Sequence, residues 1–282
     1  MILLNPAVPP HTVHAERLRG LVLDWAGTTV DYGSLAPART LHQLFAQVHI
    51  TLTESEIRRD MGLPKKDHIR GIMSIPRVRE AWQKLRGHLP SQADAEKMYK
   101  EFIPLLFSCL AEYSAVIPGV VEAMQRFRQR GLKIGSTTGY TRAMLDLVVE
   151  KSAKEGYSCD CNLTPEDVGA GRPHPFMMYE NAVRLQVYPL AAIAKIGDTP
   201  VDIREGLNAG AWSIGVAGTG SMIGLSLEGF QALSEAERES RLVEARAELQ
   251  RAGAHYVVDT LADVHSVLDD IEDRLKSTSK SR

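Results

Sequence analysis

The sequence predicts an α/β fold, a doubly wound Rossmann-like parallel sheet that carries an inserted helical module. Short apolar runs alternate with helical patterns, which is typical of parallel strands joined by helices. Gly131, Gly156 and Gly210 precede three of these runs, where the C-caps of the preceding helices are expected. The six runs that predict strands are GLVLDWA, GLKIGSTT, SCDCNLT, AIAKIGDT, AWSIGVAG and AHYVVDT.

The helical module lies between Ser34 and about Pro118, where no comparable strand pattern occurs. Its last and longest predicted helix contains Pro104, so a kink or break is expected there. Both junctions with the sheet contain Gly and Pro and suit a two-strand hinge. The predicted units are an N-terminal tail (1–16), the α/β core (17–33 and 118–274), the helical module (34–117) and a C-terminal tail (275–282).

The composition is that of an ordinary soluble globule. Among 282 residues, 33 Lys and Arg nearly balance 35 Asp and Glu, which argues against nucleic acid or an anionic membrane as partner. No uncharged apolar run approaches the roughly 20 residues of a membrane span, and the proline-rich N-terminus does not resemble a signal peptide. Cys109, Cys159 and Cys161 lack zinc-site spacing, which favours a reduced, cytoplasmic setting.

Polar residues follow the first two predicted strands. Ligands bind beyond the carboxyl ends of strands in an open parallel sheet, so Asp24 is a candidate site residue, although an Asp there also caps helices. Thr138 and Gly139 end the second strand. They either hold phosphate oxygens through hydroxyl and backbone N–H groups, or cap the helix that begins near Thr141.

Two further stretches lie in the second half of the core. Asp198 ends a strand and Asp202 follows four residues later, a pair that suits Mg²⁺, whereas helix capping needs only one carboxylate. Arg172 lies in the loop PEDVGAGRPHPF. It either forks onto two phosphoryl oxygens or is a solvated loop residue.

In chain order, these four stretches resemble the sequence motifs of the haloacid dehalogenase superfamily. The resemblance implies that Asp24 attacks phosphorus and that the helical module is a mobile cap. It implies that Thr138, Arg172 and backbone N–H groups hold the phosphoryl oxygens, with Gly139, Trp25 and Thr28 beside them. The Mg²⁺ ligands it implies are Asp24, the backbone carbonyl of Ala26, Asp198 and Asp202. Trp25 is expected to pack where core and cap meet.

Ala26 departs from the superfamily pattern, in which a second Asp protonates the leaving oxygen of a phosphate ester. Its absence argues against ester hydrolysis. The segments DWAGTTVDYG, MGLPKKDH, GSTTGYTR and AGRPHP together resemble the phosphonatase (phosphonoacetaldehyde hydrolase) family. That resemblance implies a Schiff base on Lys65 and hydrolysis of the carbon–phosphorus bond of phosphonoacetaldehyde to acetaldehyde and phosphate, in phosphonate degradation. It also implies a homodimer formed through the cap.

Four neighbours of this lysine are candidate site residues. Consecutive lysines at a helix start are usually solvated, and a lone His usually packs or caps, but the motif favours roles for Lys65 and His68. Lys66 is expected to help lower the pKa of Lys65. Met61 and Tyr140 are possible site neighbours, against the alternative that both only pack.

Other functions fit the sequence less well. A different Mg²⁺-dependent phosphatase or phosphomutase is opposed by Ala26 and by the lysine-bearing segment. A catalytically silent phosphate-binding module is opposed by Asp24, Lys65 and the two later Asp residues. A dinucleotide oxidoreductase is opposed by GVAGTGSMIG, whose glycines do not fit G-x-G-x-x-G.

Overall fold

The computed structural model describes residues 15–280 of the chain, with side chains to residue 277. One sheet of six parallel strands has the order β3-β2-β1-β4-β5-β6. The strands are β1 (Gly20–Leu23), β2 (Lys133–Thr137), β3 (Cys161–Leu163), β4 (Ile193–Gly197), β5 (Trp212–Val216) and β6 (Tyr256–Val258). Each lies within one of the six predicted runs, so the predicted α/β class is confirmed.

Thirteen α-helices connect and flank these strands within the described residues. The first five lie within residues 35–110, after β1: α1 (Leu35–Gln47), α2 (Glu54–Arg58), α3 (Lys65–Ser74), α4 (Pro76–Arg86) and α5 (Gln92–Leu110). The others are α6 (Val120–Gln129), α7 (Arg142–Lys154), α8 (Pro165–Val168), α9 (Phe176–Leu185), α10 (Pro200–Ala209), α11 (Leu227–Gln231), α12 (Glu235–Arg251) and α13 (Val264–Lys280). Gly131, Gly156 and Gly210 have positive φ values at the ends of α6, α7 and α10, as their predicted capping role requires.

The sheet brings the ends of β1, β2 and β4 to one edge. Leu23 lies opposite Ser136 of β2 and Ile196 of β4, so the three strands end in register. The strand order reverses at β1, which makes this edge the switch point at which α/β sheets bind ligands. The residues that follow the strands here include Asp24, Thr138 and Asp198.

Residues 35–110, called here the helical insertion, contain no strand of the sheet. The helix α5 packs against α1 and α3. It continues through Pro104 to Leu110, so of the expected kink or break, the break does not occur. Proline removes one backbone donor from a helix, but the buried stripe of α5 keeps the turns on both sides packed. That stripe consists of Met98, Phe102, Leu106 and Leu110.

The two ends of the chain differ in how they compare with the prediction. Most of the predicted N-terminal tail lies outside the described residues. The predicted C-terminal tail is helical as far as Lys280, because α13 continues to that residue. Of the helices in residues 15–280, none combines the length and the apolar character that crossing a membrane requires.

Candidate active site

Three carboxylates meet at the switch-point edge. Oxygen atoms of Asp24, Asp198 and Asp202 lie within 4.8 Å of one another, and all three side chains are buried. Burial raises the pKa of Asp198 well above its usual value, and the charges of Asp24 and Asp202 raise it further. Carboxylates placed this close repel one another unless a cation compensates them.

Asp198 is held in place by close contacts with backbone. Its Oδ2 accepts a hydrogen bond from the Ser221 N–H at 2.7 Å, and its Oδ1 accepts one from the Thr28 hydroxyl at 3.2 Å. A Cβ on Gly27, whose φ is 89°, would lie 2.7 Å from Asp198 Oδ2, and a Cβ on Gly220 would lie 2.5 Å from Asp198 Cβ. Glycine at both positions therefore allows the backbone to approach this carboxylate.

Arg172 lies among the carboxylates and is 3% exposed, so the solvated-loop alternative is wrong. Its Nη2 lies 2.6 Å from Asp24 Oδ1, and its Nη1 lies 2.9 Å from Asp202 Oδ1. Its Nε donates to Glu205 at 3.1 Å, and Nη2 also donates to the Thr137 carbonyl at 2.7 Å. Burial disfavours the charged guanidinium, but these carboxylates outweigh it and raise the pKa of Arg172. Arg172 thus orients the nucleophile candidate Asp24.

A second buried cation, Lys195, completes this cluster. Its Nζ lies 2.9 Å from Asp202 Oδ1 and 3.3 Å from Glu205 Oε2, and it donates to the Thr137 hydroxyl at 2.8 Å. Burial raises the pKa of Asp202, but Arg172 and Lys195 outweigh burial and lower it. The sequence analysis missed Lys195 and Glu205, although a lysine inside the apolar run AIAKIGDT was a detectable signal.

The charges of this cluster fit a divalent cation. Two cationic side chains face four carboxyl groups, so the cluster carries two excess negative charges when all four are ionised. Oxygen donors of this kind suit Mg²⁺. Asp24 and Asp198 fit direct ligation. Asp202 is already engaged by Arg172, Lys195 and the Thr199 hydroxyl, at 2.5 Å from the last, which favours a water-mediated role.

Thr138 and Thr28 are buried at the same edge. The Thr138 hydroxyl accepts a hydrogen bond from the Tyr140 N–H at 3.2 Å. The N-cap of α7 is Thr141, whose side chain accepts from the Met144 N–H, so the alternative that Thr138 caps this helix is wrong.

The remaining residues of the first motif occupy distinct surroundings. Trp25 is fully buried and packs edge-to-face on Tyr157, with ring centroids 5.1 Å apart, inside the α/β core. Its carbonyl accepts the N–H groups of Thr28, Thr29 and Val30, which forms the turn after Asp24. Ala26 lies in this turn and offers only backbone atoms as polar groups.

The helical insertion contacts this edge through residues 61–64. A Cβ on Gly139 would lie 2.5 Å from the Leu63 carbonyl oxygen, and one on Gly62 would lie 2.4 Å from the Thr199 hydroxyl. Met61, the first residue of this segment, is buried. The insertion therefore packs closely against Gly139 and Thr199, which adjoin the carboxylate cluster.

This contact brings Lys65 into the site. Lys65 is the first residue of α3, is 6% exposed, and has its Nζ 5.3 Å from the centre of the Tyr140 ring. Burial lowers its pKa to about 8, with Asp24 opposing the shift and Arg172 adding to it. Within residues 15–280 no carboxylate forms an ion pair with Lys65. Roughly a tenth of this amine is therefore neutral at pH 7, far more than of an ordinary lysine.

Lys66 faces away from the site. Its Nζ pairs with Glu96 at 3.0 Å, and both side chains are more than a third exposed. The expected contribution of Lys66 to the lowered pKa of Lys65 is therefore not supported, and Arg172 is the cation that lowers it.

His68 lies one turn after Lys65 and is fully buried. Its Nε2 lies 2.7 Å from the Ile57 carbonyl oxygen, while Nδ1 has no hydrogen-bond partner among the described residues. Burial, followed by the charge of Lys65, lowers its pKa to about 3. The neutral ring therefore donates from Nε2 and keeps a free acceptor at Nδ1.

Asp31 is a buried acid that the sequence analysis missed. Its carboxylate accepts the N–H groups of Leu35 and Ala36 at 2.9 and 3.0 Å, at the start of α1. Burial raises its pKa to about 7. The negative charge of Asp31 partly opposes the lowering of the Lys65 pKa. An Asp just before a helix start reads as an ordinary cap, so the sequence carries no distinct signal for it.

Comparison with known proteins agrees with this geometry. The haloacid dehalogenase-like hydrolase family matches residues 18–210. A phosphonoacetaldehyde hydrolase of Bacillus cytotoxicus is 42% identical over 256 residues, which is 91% of this chain and 97% of that protein. The phosphonoacetaldehyde hydrolase of Bacillus anthracis is 43% identical with the same coverage.

A solved structure is similar over almost the whole chain. The crystal structure of a phosphonoacetaldehyde hydrolase-like protein from Oleispira antarctica has a TM-score of 0.92 and 36% identity, and the match covers 96% of this chain and 98% of that one. The chain therefore belongs to the phosphonoacetaldehyde hydrolase family of haloacid dehalogenase-like hydrolases.

Proposed function

We propose that the chain hydrolyses the carbon–phosphorus bond of phosphonoacetaldehyde to acetaldehyde and phosphate, with a Schiff base on Lys65 and phosphoryl transfer to Asp24. The observation that carries the proposal is a buried lysine of lowered pKa, brought by the helical insertion to a buried carboxylate cluster. Relatives at 42–43% identity bear the name of this activity.

Lys65 is proposed to stabilise the electron pair that this reaction leaves on carbon. Breaking a carbon–phosphorus bond leaves an electron pair on carbon, which is a poor leaving group. The neutral Lys65 amine adds to the aldehyde carbon, and loss of water gives a protonated imine. When the carbon–phosphorus bond breaks, its electron pair moves into the imine and forms an enamine.

Asp24 is the proposed acceptor of the phosphoryl group. Burial raises the pKa of Asp24, while Arg172, 2.6 Å from its Oδ1, favours the charged form of the carboxylate and limits its rotation. Thr138, Gly139, Thr28 and the backbone N–H groups of the turn at Trp25 are the proposed donors to the phosphoryl oxygens. Asp24, Asp198 and the Ala26 carbonyl would hold Mg²⁺, with Asp202 acting through water, and the ion would compensate the charge repulsion between the nucleophile and the phosphonate dianion.

Two hydrolyses restore the enzyme. Water attacks the phosphorus of the aspartyl phosphate and releases phosphate from Asp24. The enamine gains a proton on carbon, and water then hydrolyses the imine to release acetaldehyde from Lys65. His68, one helical turn from Lys65, has a pKa lowered to about 3 and stays neutral through these steps, so we assign the proton transfers of imine formation and hydrolysis to water.

A phosphatase or phosphomutase of the same fold is the competing function. Such enzymes need an acid near the leaving oxygen, and Ala26 stands where the superfamily places it. Nothing in ester hydrolysis needs a lysine with a pKa of about 8 in the site. Both observations favour carbon–phosphorus cleavage.

Trapping the imine tests the proposal. Purified protein is incubated with phosphonoacetaldehyde and Mg²⁺, borohydride is added, and modified lysines are mapped by mass spectrometry. We expect phosphate release and reduction at Lys65. Lys65→Arg should abolish both, because guanidinium is not a usable amine nucleophile, while Lys66→Arg should change neither. Turnover of phosphate esters without release from phosphonoacetaldehyde would overturn the proposal.

The proposed setting is phosphonate degradation in the cytoplasm by a homodimer formed through the insertion as a mobile cap. The unpaired cysteines Cys109, Cys159 and Cys161 support a reducing compartment. Leu85 and Leu89, exposed at the end of α4, support an apolar contact there. Sedimentation of the wild type and of Leu85→Glu checks the dimer, which the substitution should weaken.

A further inference from the structure

Residues 218–225, called here the 218–225 segment, connect β5 towards α11 and contact the phosphoryl-transfer site directly. The Thr219 hydroxyl donates to the Gly27 carbonyl at 2.6 Å, in the turn after the nucleophile. The Ser221 N–H donates to Asp198 Oδ2 at 2.7 Å. The position of this segment therefore fixes the position of a proposed Mg²⁺ ligand.

Arg58, on α2 of the helical insertion, holds the same segment from the other side. Its Nη1 donates to the carbonyls of Ser221 at 2.8 Å and Gly33 at 3.1 Å, and its Nη2 donates to the Gly224 carbonyl at 3.3 Å. The Arg58 side chain is 11% exposed, whereas its ion-pair partner Glu54 is 72% exposed. Since exposed ion pairs contribute little, the three carbonyls account for most of its interactions.

The backbone around Arg58 is shaped to receive it. Gly224 has a φ of 66°, and a Cβ there would lie 2.8 Å from Arg58 Nε. Gly33 has a φ of 80° and donates its N–H to the Thr219 carbonyl at 2.8 Å, which joins the start of the insertion to the same segment. One guanidinium thus bridges α2, the chain entering the insertion and the 218–225 segment.

We propose that Arg58 is a positioning residue, which couples closure of the helical insertion to the orientation of Asp198 through the 218–225 segment. The proposal rests on the function proposed above for its kinetic consequences. The route is short: Arg58 binds the carbonyl of Ser221, and the N–H of Ser221 binds Asp198. If the insertion opens, Arg58 leaves these carbonyls and the hold on Asp198 loosens.

The test compares Arg58→Ala with Arg59→Ala, which removes the neighbouring arginine, whose side chain is 44% exposed. Two measurements need no turnover: amide hydrogen exchange in the 218–225 segment, and the dissociation constant of Mg²⁺ from calorimetry. For Arg58→Ala we expect faster exchange at Ser221 and a roughly tenfold weaker affinity for Mg²⁺, the size of effect typical of groups that hold a metal ligand in place. Arg59→Ala should match the wild type in both.

Kinetics and a conservative variant separate positioning from general stability. Arg58→Ala should lower kcat/KM for phosphonoacetaldehyde about tenfold or more, with part of the loss recovered at high Mg²⁺. The kcat/KM of Arg58→Lys should lie between the values of the wild type and of Arg58→Ala, because one ammonium cannot reach three carbonyls. A purely structural role would lower the melting temperature without a Mg²⁺-dependent loss.

If Arg58→Ala does not fold, Gly224→Ala takes its place in the test. Its added Cβ would displace the Arg58 guanidinium from the 218–225 segment while the arginine itself is kept. Unchanged Mg²⁺ affinity and unchanged exchange at Ser221 in the folded variant overturn the proposal. Failure of the proposed function is a different result: the wild type releases no phosphate from phosphonoacetaldehyde, while the exchange and Mg²⁺ measurements still decide the role of Arg58.

Discussion

The α/β core and the helical insertion hold their reactive groups in opposite ways. In the core, Asp24 is paired with Arg172 at 2.6 Å within a buried network that also contains Lys195. In the insertion, Lys65 is as deeply buried, but no carboxylate within the described residues pairs with it. The core thus places cations against Asp24 and Asp202, which favour the charged form of these carboxylates, and the insertion makes an amine less charged by burying it unpaired.

This difference suits the role proposed for each group. A carboxylate that attacks phosphorus must be ionised, so buried cations serve it. An amine that attacks an aldehyde must be neutral, so desolvation serves it and a close counter-ion would not. The insertion contacts the core through residues 61–64 and through Arg58, but Asp24 and Lys65 lie on different elements, so each reactive group can be substituted separately.

The largest expected effect separates the two regions chemically. Asp24→Asn should lower phosphate release by about 10⁴-fold or more, because the amide is not a nucleophile. Borohydride should still trap the imine on Lys65, since the insertion keeps its amine. Phosphate assays and mass spectrometry measure both, and loss of trapping in the folded variant would contradict the separation.

The second prediction compares two buried lysines by stability. Lys195→Met should lower the free energy of unfolding by about 3–5 kcal/mol, because Asp202 and Glu205 lose a cation that compensates them. Lys65→Met should leave the free energy of unfolding unchanged or raise it, since the substitution removes an unpaired buried amine. Urea unfolding without Mg²⁺ measures both. Adding Glu205→Leu to Lys195→Met should recover much of the loss.

The third prediction perturbs the contact between the regions. Gly139 has no positive φ, so Gly139→Ala acts through its Cβ, which would lie 2.5 Å from the Leu63 carbonyl oxygen. Displacing residues 61–64 by about 1 Å should lower kcat/KM about 100-fold, because Lys65 moves away from the phosphonate. Gly229→Ala, whose Cβ would come no closer than 3.4 Å to another group, is the control and should be neutral.

The smallest effect is the pH dependence of the lysine. Its pKa is about 8, and the protonated amine does not attack an aldehyde. Activity as kcat/KM should therefore rise with pH, by about tenfold per unit below pH 8, and level off above it. A pH profile of kcat/KM without a change of slope near pH 8 would contradict a rate-determining role for the neutral lysine. The profile is measured over the pH range in which unfolding experiments show that the protein is folded.

Local pattern was enough to predict most of the fold and the principal site. The six apolar runs became the six strands, because buried parallel strands need continuous apolar sequence. Asp24 and the Asp198/Asp202 pair were predicted separately from the ends of two strands, and the resemblance to the haloacid dehalogenase superfamily joined them in one site. Pro104 does not break α5, because the helix-propensity rule counts a lost donor and a local clash but not the packing of the buried stripe on both sides of the proline.

The sequence by itself determined the α/β class, the helical insertion, the strand-end carboxylates and the motif that marks Lys65, since each depends on periodicity or on neighbours along the chain. Only the tertiary structure decided that Lys195 and Glu205 complete the charge network, that Lys66 faces away while Lys65 is buried, and that Arg58 binds the 218–225 segment. Arg58 and Ser221 are 163 residues apart, and no local pattern encodes a contact across that separation.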